Sequence, residues 1–377
     1  MIKCFVTGDL HIGKKYDNYP KVKDKLIQSR FDCLQRSVEY AEKAGCDLFV
    51  ITGDTFDNTH SIKLKDIEQV VNILSEFDGS VLVLPGNHDF YVEGSKLWEK
   101  FIDLASAKGG NITLMNKYEP KTLDVRDETV TVYPAYCNSK HSKENRLDWI
   151  KKAELDDSTY HIGVAHGSVE GESLDDKIAY FPMGKKELED IPVDAWFIGH
   201  THLPFPNNLK TDSQTPGYKL FNPGTPEQTD VSNKTEGVCF IVSLESKDGK
   251  TVVTAGKYVS GKIRYIEKKI VVNDVSLRSA IEKELATEPD PANSIIRLRI
   301  AGSVTEEELS TKEDLYTELL VDFLDNEVKD EDLGEIITHD RINNEFSELS
   351  LAAKFLNELT DPKELQMAYQ LIKKYRE

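Results

Sequence analysis

The sequence predicts an α/β sandwich of two central β-sheets flanked by helices, followed by a small α+β domain and C-terminal helices. Over residues 1–200, short apolar runs that end at glycine or proline alternate with segments whose apolar residues recur at helical spacing. Strands connected through helices form largely parallel sheets with right-handed crossovers. Beyond Asp194 the pattern changes to strands and turns, which predicts antiparallel strands that close the sandwich.

The same patterns predict three regions in this chain of 377 residues. Residues 1–272 are expected to form the first domain and residues 273–340 the small α+β domain. Residues 341–377 are expected to hold two helices, separated at Pro362.

Local signals justify the individual elements. Residues 2–6 form an apolar run that predicts a buried strand, and residues 31–44 carry apolar side chains at helical spacing. Asp248-Gly249 predicts a hairpin turn. In the second domain, Thr311 is expected to cap a helix over residues 312–325, followed by a strand over residues 334–338.

Composition limits the function classes. The five cysteines are scattered and odd in number, so we expect reduced thiols that fill the core. Because there is no apolar run of membrane-spanning length and no signal peptide, we expect a cytoplasmic protein. The net charge of −19 argues against simple wrapping of nucleic acid.

The first motif of chemical interest is Val6-Thr7-Gly8-Asp9-Leu10-His11, where the first strand ends. Carboxyl ends of strands in open α/β sheets face the crevice that binds ligands. Since side chains alternate along a strand, Asp9 and His11 are expected on one face. Together they suit a divalent cation, although a surface turn also uses this pair.

Four later strands end in similar groups. The motifs are Gly53-Asp54-Thr55-Phe56-Asp57, Gly86-Asn87-His88-Asp89, His166-Gly167 and Gly199-His200-Thr201-His202. Five of the nine histidines therefore lie at strand ends, which indicates a shared metal site. The other four, His60, His141, His161 and His339, have no such context and are expected to be structural.

Seven of these residues predict a site for two metal ions. One ion is assigned to Asp9, His11 and His202, the other to Asn87, His166 and His200, and the carboxylate of Asp54 bridges them. Two cations roughly 3.5–4 Å apart need a shared anion because they repel each other. The mixed ligands favour Mn, Fe, Co or Zn over Mg, with Mn as the first choice. His88 is left over as a general acid or a stabiliser of phosphoryl charge, the alternative being loop support.

In order and spacing, these five motifs resemble those of the calcineurin-like metallophosphoesterase family. Within that family the chain is similar to the SbcD-type DNA repair exonucleases, the nuclease subunit of complexes that process double-strand breaks. Gly53 to Asp57 resembles their G-D-x-F-D/H motif, and residues 222–228 resemble their P-G-S-P-E-R block, with Gln228 in place of the usual arginine. Asn58 and Asp89 replace residues typical of serine/threonine phosphatases.

The resemblance implies a metallophosphoesterase sandwich with a capping domain and Mn-dependent exonuclease and endonuclease action on DNA ends. It also implies that residues 341–377 bind an SMC-like ATPase subunit (SbcC-type), and that helices near the first motifs form a homodimer. Asp57 takes a position with a catalytic, phosphate-orienting role, where some relatives have histidine.

Charge is distributed unevenly along the chain. Residues 14–30 contain six basic and two acidic residues, hence +4; residues 251–272 contain five and one, again +4. Residues 301–340 contain fourteen acidic and two basic residues, hence −12. We expect DNA to contact Lys14, Lys15, Lys21 and Lys23, the alternative being a solvated face. Two other functions stay open: a phosphodiesterase for small nucleotides and a non-catalytic subunit that binds DNA ends.

Overall fold

The computed structural model describes residues 1–173, 179–211, 213–273, 275–347 and 349–376. It divides into two compact units, Met1–Tyr265 and Ile266–Glu377. The division falls near the start of a strand whose end is the predicted boundary at residue 272. The assignment of residues 273–340 to a capping domain and of residues 341–377 to partner binding stays a prediction.

The first unit contains two β-sheets and five helices among its described residues. Its strands are β1 Ile2–Thr7, β2 Leu48–Ile51, β3 Ser80–Val83, β4 Ile112–Leu114, β5 Lys121–Val125, β6 Glu128–Ala135, β7 Tyr160–His166, β8 Ala195–Gly199, β9 Thr215–Pro216, β10 Leu220–Phe221, β11 Val238–Lys247 and β12 Lys250–Val259. Its helices are α1 Lys23–Lys43, α2 Leu64–Leu74, α3 Lys96–Ala107, α4 Asp148–Lys152 and α5 Lys185–Asp190.

The two sheets have the orders β4-β3-β2-β1-β11-β12-β9 and β10-β8-β7-β6-β5. In the first sheet β1 to β4 are parallel, and β11 pairs with β1 in the antiparallel direction. In the second sheet β6, β7, β8 and β10 are parallel. The predicted α/β fold with two sheets flanked by helices is confirmed, while short strands such as β4 and β5 were missed.

The alternation of side chains explains the layers. In β1, Phe5 packs against helices α1 to α3, whereas Cys4 and Val6 face a core shared with the second sheet. The opposite face of the second sheet buries Trp196 and Ile198 beneath α4 and α5. Burial of both faces explains why these parallel strands are almost entirely apolar.

The second unit contains a three-stranded sheet and five α-helices among its described residues. The elements are β13 Arg264–Val272, α6 Leu277–Leu285, β14 Ser294–Val304, α7 Glu306–Leu320, β15 Asp325–Glu335, α8 His339–Glu345, α9 Leu351–Glu358 and α10 Pro362–Arg376. The sheet order is β13-β14-β15, and β14 and β15 are parallel.

The predicted start of α7 at Thr311 is wrong. Thr305 caps the helix instead, because its hydroxyl accepts a hydrogen bond from the backbone of Glu308 while the Glu308 carboxylate accepts one from the backbone of Thr305. Thr311 lies inside the helix and donates to the carbonyl of Glu307. The helix ends at Leu320 rather than at residue 325, and the strand predicted over residues 334–338 is misplaced, because β15 spans Asp325–Glu335.

Two predictions from composition can be compared with this structure. All five cysteines are buried free thiols, as expected. Among the described residues, no helix combines the length and apolar character required to cross a membrane.

Candidate metal centre

Polar side chains from five strand ends converge in the first unit. They follow β1, β2 and β3 of the seven-stranded sheet and β7 and β8 of the five-stranded sheet. The parallel register within each sheet brings these ends to the same edge. The structure therefore brings together all seven predicted ligands.

The backbone that carries the first ligands is strained. Asp9, His11 and Asp54 have φ angles of 51°, 47° and 51°, in the left-handed region that residues other than glycine adopt infrequently. Backbone hydrogen bonds hold them there, from Asp9 N to Gly53 O (3.0 Å) and from His11 N to Asp54 O (3.0 Å). Strand alternation, the predicted reason for the pairing of Asp9 with His11, is wrong because β1 ends at Thr7.

Two glycines leave room for these ligands. A Cβ atom at Gly53, which has a φ of 114°, would overlap the imidazole of His166. A Cβ atom at Gly86 would overlap the carboxylate of Asp54. The glycines in the second and third motifs therefore allow the backbone to approach the ligand side chains closely.

Asp9, His11 and His202 form the first group of ligands. The Nε2 atoms of His11 and His202 are 3.0 Å apart, and Nε2 of His202 is 3.5 Å from Oδ1 of Asp9. The other oxygen of Asp9 accepts a hydrogen bond from the backbone of His200 at 3.0 Å. One oxygen and two ring nitrogens thus face a common point.

Asn87, His166 and His200 form the second group. Oδ1 of Asn87 is 2.9 Å from both Nε2 of His166 and Nδ1 of His200. Nδ1 of His166 donates to the carbonyl of Thr52 at 2.9 Å, so Nε2 of a neutral His166 carries the lone pair. The arrangement orients three donor atoms toward a second point.

Asp54 lies between the two groups. Its Oδ2 atom is 3.4 Å from Nε2 of His166 and 4.0 Å from Nε2 of His11. Its Oδ1 atom accepts a hydrogen bond from the backbone of His88 at 2.8 Å. The carboxylate therefore has the position that a bridging ligand requires.

His88 and Asp57 adjoin this cluster. Nδ1 of His88 is 3.0 Å from the carbonyl oxygen of Asp57, and the ring meets that of His11 edge to face with centroids 4.8 Å apart. The Asp57 carboxylate lies 3.4 Å from Nδ1 of His11. This contact can orient His11, a candidate ligand, and such a role differs from the phosphate-orienting role expected for Asp57. Both catalytic roles stay predictions.

Without metal, burial and neighbouring charges shift the pKa values of three histidines and one aspartate of the site. Burial lowers the pKa of His11 to about 4, and burial with the charge of His166 lowers the pKa of His200 to about 4. Burial also opposes protonation of His166, but the Asp54 carboxylate outweighs it and raises the pKa of His166 to about 9. Against its own burial, Asp54 has a pKa held below the usual range by His166.

These residues fit divalent cations. Oδ1 of Asp9 is buried and has no hydrogen-bond partner among the described residues. An unsatisfied buried carboxylate oxygen is costly, and the two Nε2 atoms 3.0 Å apart form a hydrogen bond only when one carries a proton and the other a lone pair. Cations in both groups would satisfy these lone pairs, and the N and O donors are those of Mn, Fe, Co or Zn sites.

Three of the predicted basic residues lie between the first motif and α1, and the fourth, Lys23, is the first residue of α1. Lys15 and Lys21 are exposed and Lys14 and Lys23 are half-buried. Lys23 forms an ion pair with Asp17 at 2.6 Å. Burial and the nearby Arg30 lower the pKa of Lys14. Their role in DNA binding stays a prediction.

Arg30 was not predicted to belong to the site. Its guanidinium is buried and donates to the carbonyl of Leu10 at 2.6 Å and to the hydroxyl of Tyr16 at 2.5 Å. Leu10 separates Asp9 from His11, so Arg30 supports the strained ligand backbone from behind. A sequence signal existed, since Arg30 precedes Leu34 by four residues and thus falls on the apolar face of its helix.

Asp89 and Thr225 also support the ligands. The buried carboxylate of Asp89 accepts hydrogen bonds from the backbones of Phe56 (3.0 Å) and Gly86 (2.6 Å) and so joins the second motif to the third. Burial and the charge of Asp54 raise the pKa of Asp89 to about 7. The Thr225 hydroxyl donates to the carbonyl of Asp9 at 3.0 Å. Nothing in the spacing alone distinguishes these residues from ordinary loop residues.

A buried cluster of carboxylate, imidazole and amide ligands at the strand ends of an α/β sandwich defines a metal-dependent hydrolase of phosphoesters. Residues 2–204, more than half of the chain, match the Calcineurin-like phosphoesterase family. The chain belongs to this family, as the motifs predicted. Proteins of this family typically bind two divalent metal ions.

Curated relatives are distant. The chain is 24% identical over 166 residues to Exonuclease subunit 1 of Enterobacteria phage T4, covering 43% of this chain and 45% of the relative. It is 22% identical over 203 residues to the Uncharacterized metallophosphoesterase YhaO of Bacillus subtilis (strain 168), covering 52% of this chain and 47% of the relative. The matches thus span less than half of each relative's length.

Among solved structures, the chain is similar to purple acid phosphatase PPD1 from yellow lupin (Lupinus luteus) seeds. The TM-score is 0.34 at 13% identity, with 68% of this chain and 53% of the other covered.

Proposed function

We propose that this chain is a DNA exonuclease and endonuclease of the SbcD type, which hydrolyses phosphodiester bonds at DNA ends during break repair. The observation that carries the proposal is the placement of Asp54 between two complete groups of ligands, 3.4 Å from His166 and 4.0 Å from His11. Similarity to a phage exonuclease subunit supports a nucleic-acid substrate.

The residues can be assigned to steps of phosphodiester hydrolysis. When bound, two divalent cations polarise the phosphoryl oxygens and make water more acidic. Mn is our first choice because imidazole, carboxylate and amide donors occur together. Asp54, which lies between the two groups of ligands, would contribute a carboxylate oxygen to both. His88, whose Nδ1 contacts the carbonyl of Asp57 at 3.0 Å, presents its other nitrogen as a proton donor to the leaving oxygen.

The route of DNA to this site is assigned to Lys14, Lys15, Lys21 and Lys23. Lys14 follows the ligand His11 by three residues, and the other three continue this segment toward α1. Positive side chains beside a phosphodiesterase centre attract the backbone of DNA despite the negative charge of the chain. Changing all four to Glu should weaken DNA binding while hydrolysis of a small chromogenic phosphodiester continues.

An SMC-like ATPase subunit (SbcC-type) is the proposed partner of the C-terminal helices. Leu351 and Phe355 of α9 are 85% and 51% exposed, and Met367, Leu371 and Tyr375 of α10 are 66%, 50% and 80% exposed. In each helix these residues recur every four positions and form one apolar face. Such faces favour an amphipathic or coiled-coil partner. The homodimer and the capping role of residues 273–340 are parts of the same proposal.

The deciding experiment compares cleavage of end-labelled linear duplex DNA with hydrolysis of bis-nitrophenyl phosphate, each with Mn and with a chelator. We expect Mn-dependent hydrolysis of both, and loss of both with the chelator. Hydrolysis of the small diester and of small nucleotides, without any cleavage of DNA, would instead identify a small-nucleotide phosphodiesterase. DNA binding without hydrolysis of either substrate would indicate a non-catalytic subunit.

A further inference from the structure

A cavity of about 310 Å³ is lined in part by the segment that follows His202. One wall is apolar and belongs to the residues after this ligand, Pro204, Pro206 and Leu209. Four charged residues also line the cavity and are called here the charged wall: Lys234, Glu236, Lys257 and Arg264. All of these residues belong to the first unit, together with the metal centre.

The charged wall carries an excess of positive charge. Glu236 is shared between Nζ of Lys257 at 3.1 Å and Nη1 of Arg264 at 3.8 Å. Lys234 adds a third cation, so the wall holds three positive charges and one negative charge. A chain with a net charge of −19 has thus concentrated cations around one concave surface. Lys257 and Arg264 remain 28% and 42% exposed, so a ligand can reach them.

Hydrogen bonds connect the charged wall with the metal centre. Nδ2 of the buried Asn233 donates to the carbonyl of His202 at 3.2 Å. Oδ1 of Asn233 accepts hydrogen bonds from the backbone of Thr235 at 3.0 Å and from its hydroxyl at 2.6 Å. Lys234 lies between these two residues, so its backbone is held beside that of a metal ligand.

We propose that this cavity binds the non-scissile phosphate next to the bond cleaved at the metal centre, with the attached nucleoside against Pro204 and Pro206. The inference rests on the proposed function and specifies its substrate as a strand with at least two phosphates. A phosphate is the ligand that cations on a concave surface select, and a wall of proline suits a sugar or base. The proposal assigns phosphate binding to Lys257 and Arg264, the basic residues of the segment 251–272 that line the cavity.

Thymidine trinucleotides test this inference. The native trinucleotide has two phosphates, and in each of two analogues one of them is replaced by an uncharged methylphosphonate, which leaves the other to be cleaved. For the wild-type protein we expect the kcat/KM of the native trinucleotide to exceed that of one analogue by about tenfold, the effect of one charge-assisted contact. The paired variant Lys234→Ala/Lys257→Ala should reduce that ratio to near one.

The matched control is Lys247→Ala/Lys250→Ala, which removes two exposed lysines from the far end of the same hairpin. Lys250 and Lys257 are seven residues apart in β12, about 24 Å along the strand. The control should keep the tenfold ratio, and so should Lys257→Arg, which retains the charge. Hydrolysis of bis-nitrophenyl phosphate, which lacks a second phosphate, reports whether each variant assembles the metal centre.

Failures of the two proposals are distinguishable. If wild-type protein hydrolyses bis-nitrophenyl phosphate but neither DNA nor trinucleotides, the proposed nuclease function is wrong, and the subsite with it. If it cleaves trinucleotides with a ratio near one, only the subsite is wrong. An unchanged ratio in Lys234→Ala/Lys257→Ala, or an equal loss in the control, would also overturn the subsite.

Discussion

The two groups of candidate ligands, called here the first half (Asp9, His11 and His202) and the second half (Asn87, His166 and His200), differ in the protons that their histidines hold. In the first half the His202 side chain is 35% exposed, whereas in the second half the His166 side chain is fully buried, at 0%. Without metal, the pKa of His11 is lowered to about 4 and that of His166 is raised to about 9. Each half also has one partly exposed histidine, His202 in the first and His200 in the second, so the clearer difference is that His11 is neutral at pH 7 whereas His166 holds a proton.

The position of Asp54 explains this difference. Its carboxylate is closer to His166 than to His11, at 3.4 Å against 4.0 Å, and it stabilises the charged imidazole of His166. A cation in the second half must displace the proton of His166, which the Asp54 carboxylate stabilises. Since His166 is also shielded from water, we expect this half to load and release metal more slowly than the first.

The largest effect on metal binding and hydrolysis should come from a substitution of Asp54, which lies between the two halves. Asp54→Ala removes the carboxylate placed between them, so we expect both ions to be lost, with a decrease in phosphodiester hydrolysis on the order of 10³-fold or more. Metal content by mass spectrometry and hydrolysis of bis-nitrophenyl phosphate measure the two effects. Asp24→Ala, which removes an exposed carboxylate from α1, is the control. Retention of two ions by Asp54→Ala would contradict the bridging position.

His88→Ala should separate catalysis from metal binding. If His88 protonates the leaving oxygen, DNA cleavage should fall about 10²-fold while both ions stay bound. Hydrolysis of bis-nitrophenyl phosphate should fall much less, because nitrophenolate leaves without protonation. Equal losses on the two substrates would exclude general-acid catalysis, and loss of an ion would make His88 a ligand of the first half, beside His11.

Arg30→Met should weaken metal binding in the first half alone. Without the 2.6 Å hydrogen bond to the carbonyl of Leu10, the left-handed backbone of Asp9 and His11 loses its support. We expect the affinity of this half for Mn to fall by about tenfold, as measured by calorimetric titration. Arg36→Met is the control, since Arg36 lies on the same helix but donates to the carbonyl of Ser260. An equal decrease in both halves would show that Arg30 merely stabilises the fold.

The ligands of both halves could be predicted from the sequence, because each follows an apolar strand and parallel strands end at one edge. The spacing of Asp9, Asp54, Asn87, His166 and His202 was sufficient for that prediction. It did not reveal the left-handed backbone at Asp9 and His11, which depends on hydrogen bonds to residues 53 and 54. Local patterns report contacts along a strand, whereas these contacts join two loops.

The support behind the ligands was harder to predict for the same reason. Arg30 acquires its role only when α1 packs behind the first motif, and Thr225 reaches Asp9 across 216 positions of the chain. The prediction of where α7 starts was wrong for a local reason, because Thr305 and Thr311 are both followed by acidic residues. The reciprocal capping pair of Thr305 with Glu308 decides between them.

The pH dependence of metal binding should distinguish the halves most finely. Below pH 9, binding in the second half releases the proton of His166, so its affinity should rise about tenfold per pH unit and level off near pH 9. In the first half, His11 should add no dependence over this range, since it is already neutral above its pKa of about 4. Titration with Mn between pH 6 and 8, in buffers of different ionisation enthalpy, counts the protons released.

The stability of the metal-free protein should depend on pH in the opposite direction. Because the pKa of His166 is raised on folding, from 6.5 to about 9, its contribution to stability is complete below pH 6.5 and is lost as pH rises toward 9. Metal binding and folding of the metal-free protein should thus depend on pH in opposite directions. His166→Gln, which cannot take up the proton, should remove both dependences between pH 7 and 9, above the pKa of about 7 of Asp89. Persistence of either in that variant would assign the proton to another residue of the cluster.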